Sequence, residues 1–215
     1  MISSLRRHSS RVPTHEIFCP GRAWLVVVVV AKEKVDGMSR SLTLDNSERA
    51  DLIRFCARFC GSNAASTATR GPIRLKFGRE ATLNQVNTII RYVARSVNRE
   101  EELLGSTAVD RAQIAQWMSF AMNLIDGVCP SSPTSHLRVL EKVLTTRTYF
   151  VGNHISLADI ALFWIVAKDF QSLDGPQKTF PNVCRWFDLV QRARGIIGSQ
   201  LFTKCVWDQA QWKLL

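Results

Sequence analysis

The chain has 215 residues, of which 46% are hydrophobic and 21% charged, and this globular balance argues against a disordered or fibrous protein. Its net charge of +10 favours acidic partners such as nucleic acid, an anionic membrane or an acidic protein surface. The six cysteines include no C-x-x-C pair and do not cluster with the four histidines. We therefore expect a reducing compartment, with no metal, cofactor or disulfide framework.

Residues 1–37 differ in composition from the rest of the chain. They begin with a stretch rich in Ser and Arg, and nine apolar residues follow from Ala23 to Ala31, too few to span a bilayer. We interpret residues 1–37 as an extension that is dispensable or disordered, with Met38 as the working initiator. A mitochondrial targeting segment is the alternative, and a secretory signal fits less well. We expect a cytoplasmic protein that also enters the nucleus and does not bind membranes.

Residues 38–98 contain the elements of a small lobe. A cap within Asp45-Asn46-Ser47-Glu48 precedes the helical pattern ADLIRFCARF, and residues 61–71 form a loop of small residues. The alternating apolar residues of PIRLKFG predict a strand over 72–78, and TLNQVNTIIRYVARS predicts a helix over 82–96.

Cys56 and Cys60 lie four residues apart, on one face of the first predicted helix. We interpret them as small core residues, with a redox-sensitive pair as the alternative.

Residues 99–206 read as helices throughout, followed by a tail over 207–215. Thr107 and Asp110 have the spacing of a capping box, and a helical apolar pattern follows them. GNHISLADIALFW repeats the box, with Ser156 as the N-cap and Asp159 at the third helical position. The run after Asp159 is almost wholly apolar, which predicts a helix buried on most sides. His136 and His154 lie on a loop or helix edge, and we interpret each as a solvated turn residue and not as a catalytic base.

Two of these stretches resemble known domains. RTYFVGNHISLADIALFWIVAKDF resembles the late-helix signature of C-terminal domains of the glutathione-transferase (GST) type. ATLNQVNTIIRYVARS resembles the last helix of the thioredoxin-like lobe of that family, and Pro72 falls where the lobe keeps a cis-proline. The resemblance implies an α+β, mostly α fold, in which a reduced thioredoxin-like lobe precedes an all-helical GST domain.

A narrower resemblance is carried by NREEELLGSTAVDRAQIAQWMSFA and FPNVCRWFDLVQ. These stretches resemble the GST-like auxiliary proteins of the multi-aminoacyl-tRNA synthetase complex, the elongation factor 1 epsilon type. They are also similar to the GST-like appendages of glutamyl-prolyl- and methionyl-tRNA synthetases. This resemblance implies a non-catalytic scaffold that binds GST-like domains of synthetases and supports translation.

The resemblance also shows what a transferase would need. It would need a hydroxyl or thiol beside the first strand of its lobe, and usually a Ser at the start of the last lobe helix to hold glutathione. Gln85-Val86 stands at the second position, where the Val86 side chain cannot donate a hydrogen bond, and from Met38 onward the lobe is expected to be too short to supply the early strand and the usual hydroxyl. We therefore expect no enzyme. One alternative is an omega-like thiol transferase that uses Cys19 before Pro20, and another is an accessory module with a weak tRNA contact.

The resemblance implies two partner surfaces. The first is the usual transferase dimer face, which would pair with methionyl-tRNA synthetase through Ile89, Tyr92, Gln113 and Trp117. The second is the helix of NVCRWF, in which Arg185 and Trp186 would face glutamyl-prolyl-tRNA synthetase. The alternative for Arg185 is an ordinary surface residue whose stem covers the neighbouring tryptophan.

Overall fold

The computed structural model describes residues 34–35, 38–62, 66–67, 72–77, 81–128, 132–173 and 175–193. The interpretations of residues 1–33, including Cys19, and of the tail lie outside this part of the chain. So does the peptide bond that precedes Pro72, because residue 71 is not described.

The lobe contains a small sheet. Its strands are β1 (Lys34–Val35), β2 (Met38–Thr43), β3 (Ser66–Thr67), β4 (Arg74–Phe77) and β5 (Ala81–Leu83). The order is β1-β2-β4-β5 with antiparallel neighbours, and β3 pairs with β2 in parallel. Leu75 of β4 lies between Leu42 and Leu83 in the register, so this row of apolar residues faces the core.

The described helices are bounded by local signals. They are α1 (Glu48–Cys60), α2 (Val86–Ser96), α3 (Glu100–Leu104), α4 (Ala108–Ile125), α5 (Pro133–Leu144), α6 (Leu157–Asp169), α7 (Pro176–Thr179) and α8 (Pro181–Gln191). Helix α1 begins where the Ser47 hydroxyl accepts from the Ala50 N–H at 3.3 Å, and it ends at Gly61 with φ of 74°. A glycine adopts this left-handed conformation at little cost.

The sheet corrects two sequence predictions. The early strand that we expected to be missing is present as β2, so the lobe is not too short to supply it. The helix predicted over 82–96 begins only at Val86, because Ala81–Leu83 pairs with β4. Only residues 68–73 separate β3 from β4, and this span leaves no room for a long second helix. The lobe is therefore a reduced thioredoxin-like arrangement.

Helix α6 is the centre of the core, since every residue from Leu157 to Ala167 is buried. Phe55 of α1 stacks on Phe163 of α6 at 6.1 Å and contacts Trp164 at 5.3 Å, which joins the lobe to the helical part. Phe187 of α8 also stacks on Phe163, at 4.4 Å. His136 of α5, which we expected in a solvated turn, is buried and hydrogen-bonded to Asp169 of α6 at 2.5 Å, so that expectation is wrong. None of the helices in the described residues is both long and apolar enough to cross a membrane.

Candidate interaction surfaces and an interlobe cleft

The start of α6 is fixed by a buried carboxylate. Asp159 accepts hydrogen bonds from the Ser156 N–H (3.0 Å), the Ser156 hydroxyl (2.7 Å), the Phe150 N–H (3.1 Å) and the Trp186 indole N–H (3.0 Å). Burial raises the pKa of Asp159, and these hydrogen bonds oppose that rise by favouring the ionised form. The structure thus contains the predicted capping box, and the bond from Trp186 also ties α8 to it.

The first predicted partner surface, on α2 and α4, is only partly at the surface. Tyr92, Gln113 and Trp117 are half-buried and retain exposed atoms. Tyr92 packs edge-on against Phe77 at 4.8 Å, and Trp117 contacts Phe120 at 5.7 Å. These contacts hold both aromatic rings in fixed positions at the edge of the core.

Ile89 does not belong to that surface. Its exposure is 0%, so the prediction that it contacts a partner is wrong for the described fold, and its role is to support α2 from within. The helical period explains this, because Ile89 lies on the same side of α2 as Val86 and Val93, which are both buried.

The two residues predicted for the second surface, on α8, differ in their exposure. Arg185 is exposed, and its guanidinium donates to the Leu144 and Arg147 carbonyl oxygens at 2.8 and 3.0 Å. Trp186 is completely buried, so the prediction that it faces a partner is wrong. The Arg185 side chain therefore caps the end of α5, and only its outer edge is available to another molecule.

Glu141 is a structural residue that the sequence analysis missed. Its carboxylate accepts from the Asn182 N–H (3.1 Å), the Asn182 side-chain amide (2.6 Å) and the Val183 N–H (2.9 Å) at the start of α8. A carboxylate is favourable there because the N–H groups of the first helical turn have no partner within the helix. No local pattern signals this contact, since the residues lie 41 and 42 positions apart.

A polar cleft of about 870 Å³ lies between the lobe and the helical part. It is lined by the start of α1, the start of β4, the start of α2 and the end of α4, with residues Asp45, Ser47, Glu48, Arg49, Pro72, Ile73, Arg74, Asn84, Gln85, Val86, Asn87, Ser119, Met122, Asn123, Ile125 and Asp126. Two ion pairs cross beside it, Arg49 with Asp126 at 2.6 Å and Lys168 with Glu48 at 2.5 Å. The family resemblance implies that a glutathione site, in a transferase, would lie in this cleft.

The Ser47 hydroxyl, in the wall of the cleft at the start of α1, is already engaged in hydrogen bonds. Ser47 donates to Asp45 at 2.5 Å and accepts from the Ala50 N–H at 3.3 Å. The hydrogen bond that the Ser47 hydroxyl donates is the main cause of the lowered pKa of Asp45. Since the single hydroxyl proton points to a carboxylate, Ser47 cannot at the same time donate to a thiolate. Val86 lines the cleft with an apolar side chain, as its position in the sequence predicts.

The described cysteines are poor nucleophiles in this fold. Burial raises the pKa of Cys60 to about 11 and that of Cys184 to about 12, and it raises the pKa of Cys56 well above its usual range. Their thiols therefore stay protonated at neutral pH, which fits the interpretation of Cys56 and Cys60 as core residues. In the part of the chain with described side chains, no three His, Cys, Asp or Glu residues are grouped as metal ligands would be.

Comparison with known proteins defines the class of fold. The model of the glutathione S-transferase C-terminal domain matches residues 134–192. A possible glutathione S-transferase from Rhodopseudomonas palustris is 22% identical, with a TM-score of 0.59 over 79% of this chain and 98% of that one. A Gtt2-class transferase from Vibrio parahaemolyticus is 17% identical, with a TM-score of 0.60 over 75% and 98%. The fold is therefore that of a GST-like protein.

Curated relatives define the family more narrowly. Human eukaryotic translation elongation factor 1 epsilon-1 is 30% identical over 128 residues, which are 57% of this chain and 73% of the human protein. The mouse protein is 32% identical over 112 residues, 51% and 64% of the two chains. The bifunctional glutamate/proline–tRNA ligase of Cricetulus griseus is 29% identical over 144 residues, 65% of this chain but 9% of the ligase. The chain belongs to the elongation factor 1 epsilon-1 family, although it spans less than two thirds of the mouse protein and of the ligase.

Proposed function

We propose that this protein is a non-catalytic scaffold that binds GST-like domains of aminoacyl-tRNA synthetases and so supports protein synthesis. Similarity to elongation factor 1 epsilon-1 and to part of a tRNA ligase supports this proposal. The partners we propose are methionyl- and glutamyl-prolyl-tRNA synthetases, and the site of action is the cytoplasm, with the nucleus as a second location.

The observation that carries the proposal is the state of the Ser47 hydroxyl. Its proton is bound by Asp45, and the Val86 side chain offers no hydrogen-bond donor at the start of α2. A transferase must either stabilise the glutathione thiolate with a free hydroxyl or use a reactive cysteine thiol in place of that hydroxyl. The described cysteines are buried and protonated, so they do not supply that thiol. The cleft is therefore present, but Ser47, Val86 and the described cysteines do not supply the hydroxyl or thiol that a transferase needs.

The α2–α4 surface supports a protein contact instead. Tyr92 and Trp117 are partly exposed and their rings are held by contacts with the core, and Gln113 lies one turn before Trp117 on the same side of α4. Tyr and Trp are common in binding hot spots because a rigid aromatic ring loses little entropy on binding. We propose that this surface takes one synthetase domain and that the outer edge of Arg185 contributes to a second contact.

The test is binding to purified GST-like domains of the two synthetases, measured by calorimetry. Gln113→Arg adds bulk and charge to the α2–α4 surface at a half-buried position, and we expect it to weaken one of the two complexes about tenfold or more, about 1.4 kcal/mol. Gln171→Arg introduces the same side chain at an exposed position after α6 and should bind like the wild type. If the wild type binds neither domain, the scaffold proposal is wrong.

An activity assay tests the same proposal from the other side. The wild-type protein should show no glutathione conjugation above the uncatalysed rate with a standard electrophile. Turnover that disappears in Ser47→Ala would contradict our interpretation of the hydroxyl. Turnover that disappears instead in Cys19→Ser would support the thiol-transferase alternative.

A further inference from the structure

The exposed side of α5 carries positive charge and no acid. Its inward side is buried, and its exposed positions are Ser135, Arg138, Val139 and Lys142. Arg138 and Lys142 are four residues apart, so their side chains project from the same side of the helix. Among the residues described here, neither cation takes part in an ion pair.

The acidic residue of α5 does not offset this charge. Glu141 is half-buried, and its carboxylate accepts all three of its hydrogen bonds from Asn182 and Val183 of α8. It is therefore directed to the first turn of α8, away from the exposed positions of α5. The charges of Arg138 and Lys142 remain free to act on solvent or on a ligand.

Two more cations lie next to the end of α5. Arg147 is exposed and donates to the Phe150 carbonyl oxygen at 3.1 Å, and Arg185 donates to the Leu144 and Arg147 carbonyl oxygens. Carbonyl oxygens hold these guanidinium groups in place without neutralising their charge. Arg138, Lys142, Arg147 and Arg185 together form what we call the α5 basic face.

We propose that the α5 basic face binds the phosphate backbone of a folded RNA. Phosphate contacts come mainly from Arg and Lys, with hydroxyl groups as additional donors, and Thr146 and Thr148 are exposed beside Arg147. A protein partner would be expected to bury an aromatic or large apolar anchor. The large apolar residues exposed on α5 and α8 are Val139, at 46%, and Leu189, at 38%, and neither is aromatic, so the face matches a phosphate backbone better than an acidic protein.

This inference does not rest on the scaffold proposal, because Arg138, Lys142 and Arg147 take no part in either proposed synthetase contact, and Arg185 is the single residue that the two proposals share. Contacts with phosphate alone recognise charge and shape, not base sequence, so affinity should fall steeply with salt. Gln113→Arg, which is designed to disturb synthetase binding, should not weaken RNA binding.

The test compares two variants that lose the same charge. Arg138→Gln/Lys142→Gln removes two cations of the α5 basic face, and Arg58→Gln/Lys76→Gln removes two exposed cations of the lobe that also lack an ion pair with a described residue. Binding of the full chain to a fluorescent tRNA transcript is measured by anisotropy from about 50 to 200 mM salt. We expect the α5 variant to lose about tenfold or more in affinity, with a salt slope shallower by about 1.5, and the lobe variant to change less than about twofold.

Three results would overturn the inference. If the wild-type protein binds no tRNA, the inference is wrong. Equal losses of affinity in the two variants would show that net charge alone governs binding. Competition by polyglutamate that is as strong as competition by RNA would identify an acidic protein as the occupant. Thermal melts followed by circular dichroism show whether each variant keeps its fold. All four substituted side chains are exposed and make no described contact with the core.

Discussion

The amino-terminal ends of α6 and α1 both use a carboxylate to fix their position, but in opposite surroundings. At α6, Asp159 is buried and accepts from four donors on three segments of the chain. At α1, Glu48 is exposed, and Lys168 is the cation that binds it from the helical part. One carboxylate organises the core, and the other lies at the junction between the lobe and the helical part.

The difference teaches which contacts carry stability. Removing a buried acceptor leaves its donors without a partner and without water, which costs about 1–3 kcal/mol for each donor. A surface ion pair contributes only about 0–1 kcal/mol because water and salt screen it. The junction must therefore depend on apolar packing, and Phe55 between Phe163 and Trp164 provides it.

The largest expected effect is that of Asp159→Ala. The substitution leaves the Ser156 N–H, the Phe150 N–H and the Trp186 indole N–H unsatisfied inside the core. We expect the free energy of unfolding to fall by about 4 kcal/mol, enough to unfold a marginally stable domain. Chemical denaturation followed by tryptophan fluorescence measures this, since Trp186 reports on the affected site.

Asp110→Ala is the matched control, because Asp110 has the same position in the capping box of α4. Its carboxylate accepts from the Thr107 N–H at a longer 3.4 Å, and the site is open to solvent. We expect a loss of about 1 kcal/mol. Similar losses in the two variants would show that burial does not separate the two boxes.

The same contrast explains what the sequence could predict. Both capping boxes were found because a box needs only two residues at a fixed spacing, and its hydrogen bonds are local. The strand β2 was missed because MSRSLT has few apolar residues and is specified by its partners β3 and β4. Glu141 was missed for the same reason, since its donors belong to a helix about 40 residues away.

The candidate surfaces were predicted only in part. The side of α4 that carries Gln113 and Trp117 follows from helical spacing and remains partly exposed. Ile89 and Trp186 were assigned to surfaces because of a family resemblance, and both are buried. The helical period alone puts Trp186 on the same side as Val183 and Val190, so spacing predicted its burial better than the resemblance did.

Gly105→Ala should have the second largest effect, at the junction where α3 meets α4. Gly105 has φ of 89° and ψ of 149°, a region that is almost closed to other residues, and an added Cβ would lie 2.6 Å from the Asp110 Cβ. We expect a loss of about 3 kcal/mol in the free energy of unfolding. Gly61→Ala is the control, since its φ is 74° but the space around an added Cβ is open, and it should lose about 1 kcal/mol. A loss at Gly105 no greater than that at Gly61 would show that the crowding is relieved by a small shift of α4.

The smallest expected effect comes from the ion pair between Glu48 and Lys168. Both side chains are more than two fifths exposed, at 44% and 42%, and the Lys168 ammonium also lies 4.8 Å from the centre of the Trp164 ring. A double-mutant cycle of Glu48→Gln and Lys168→Met should give a coupling energy below about 0.5 kcal/mol that shrinks further at high salt. The aromatic contact should survive in Lys168→Met as a hydrophobic one, so the single variants should also be mild. A coupling energy above about 2 kcal/mol, unchanged by salt, would mean that the ion pair is shielded from water and that charge, as well as Phe55, holds the lobe to the helical part.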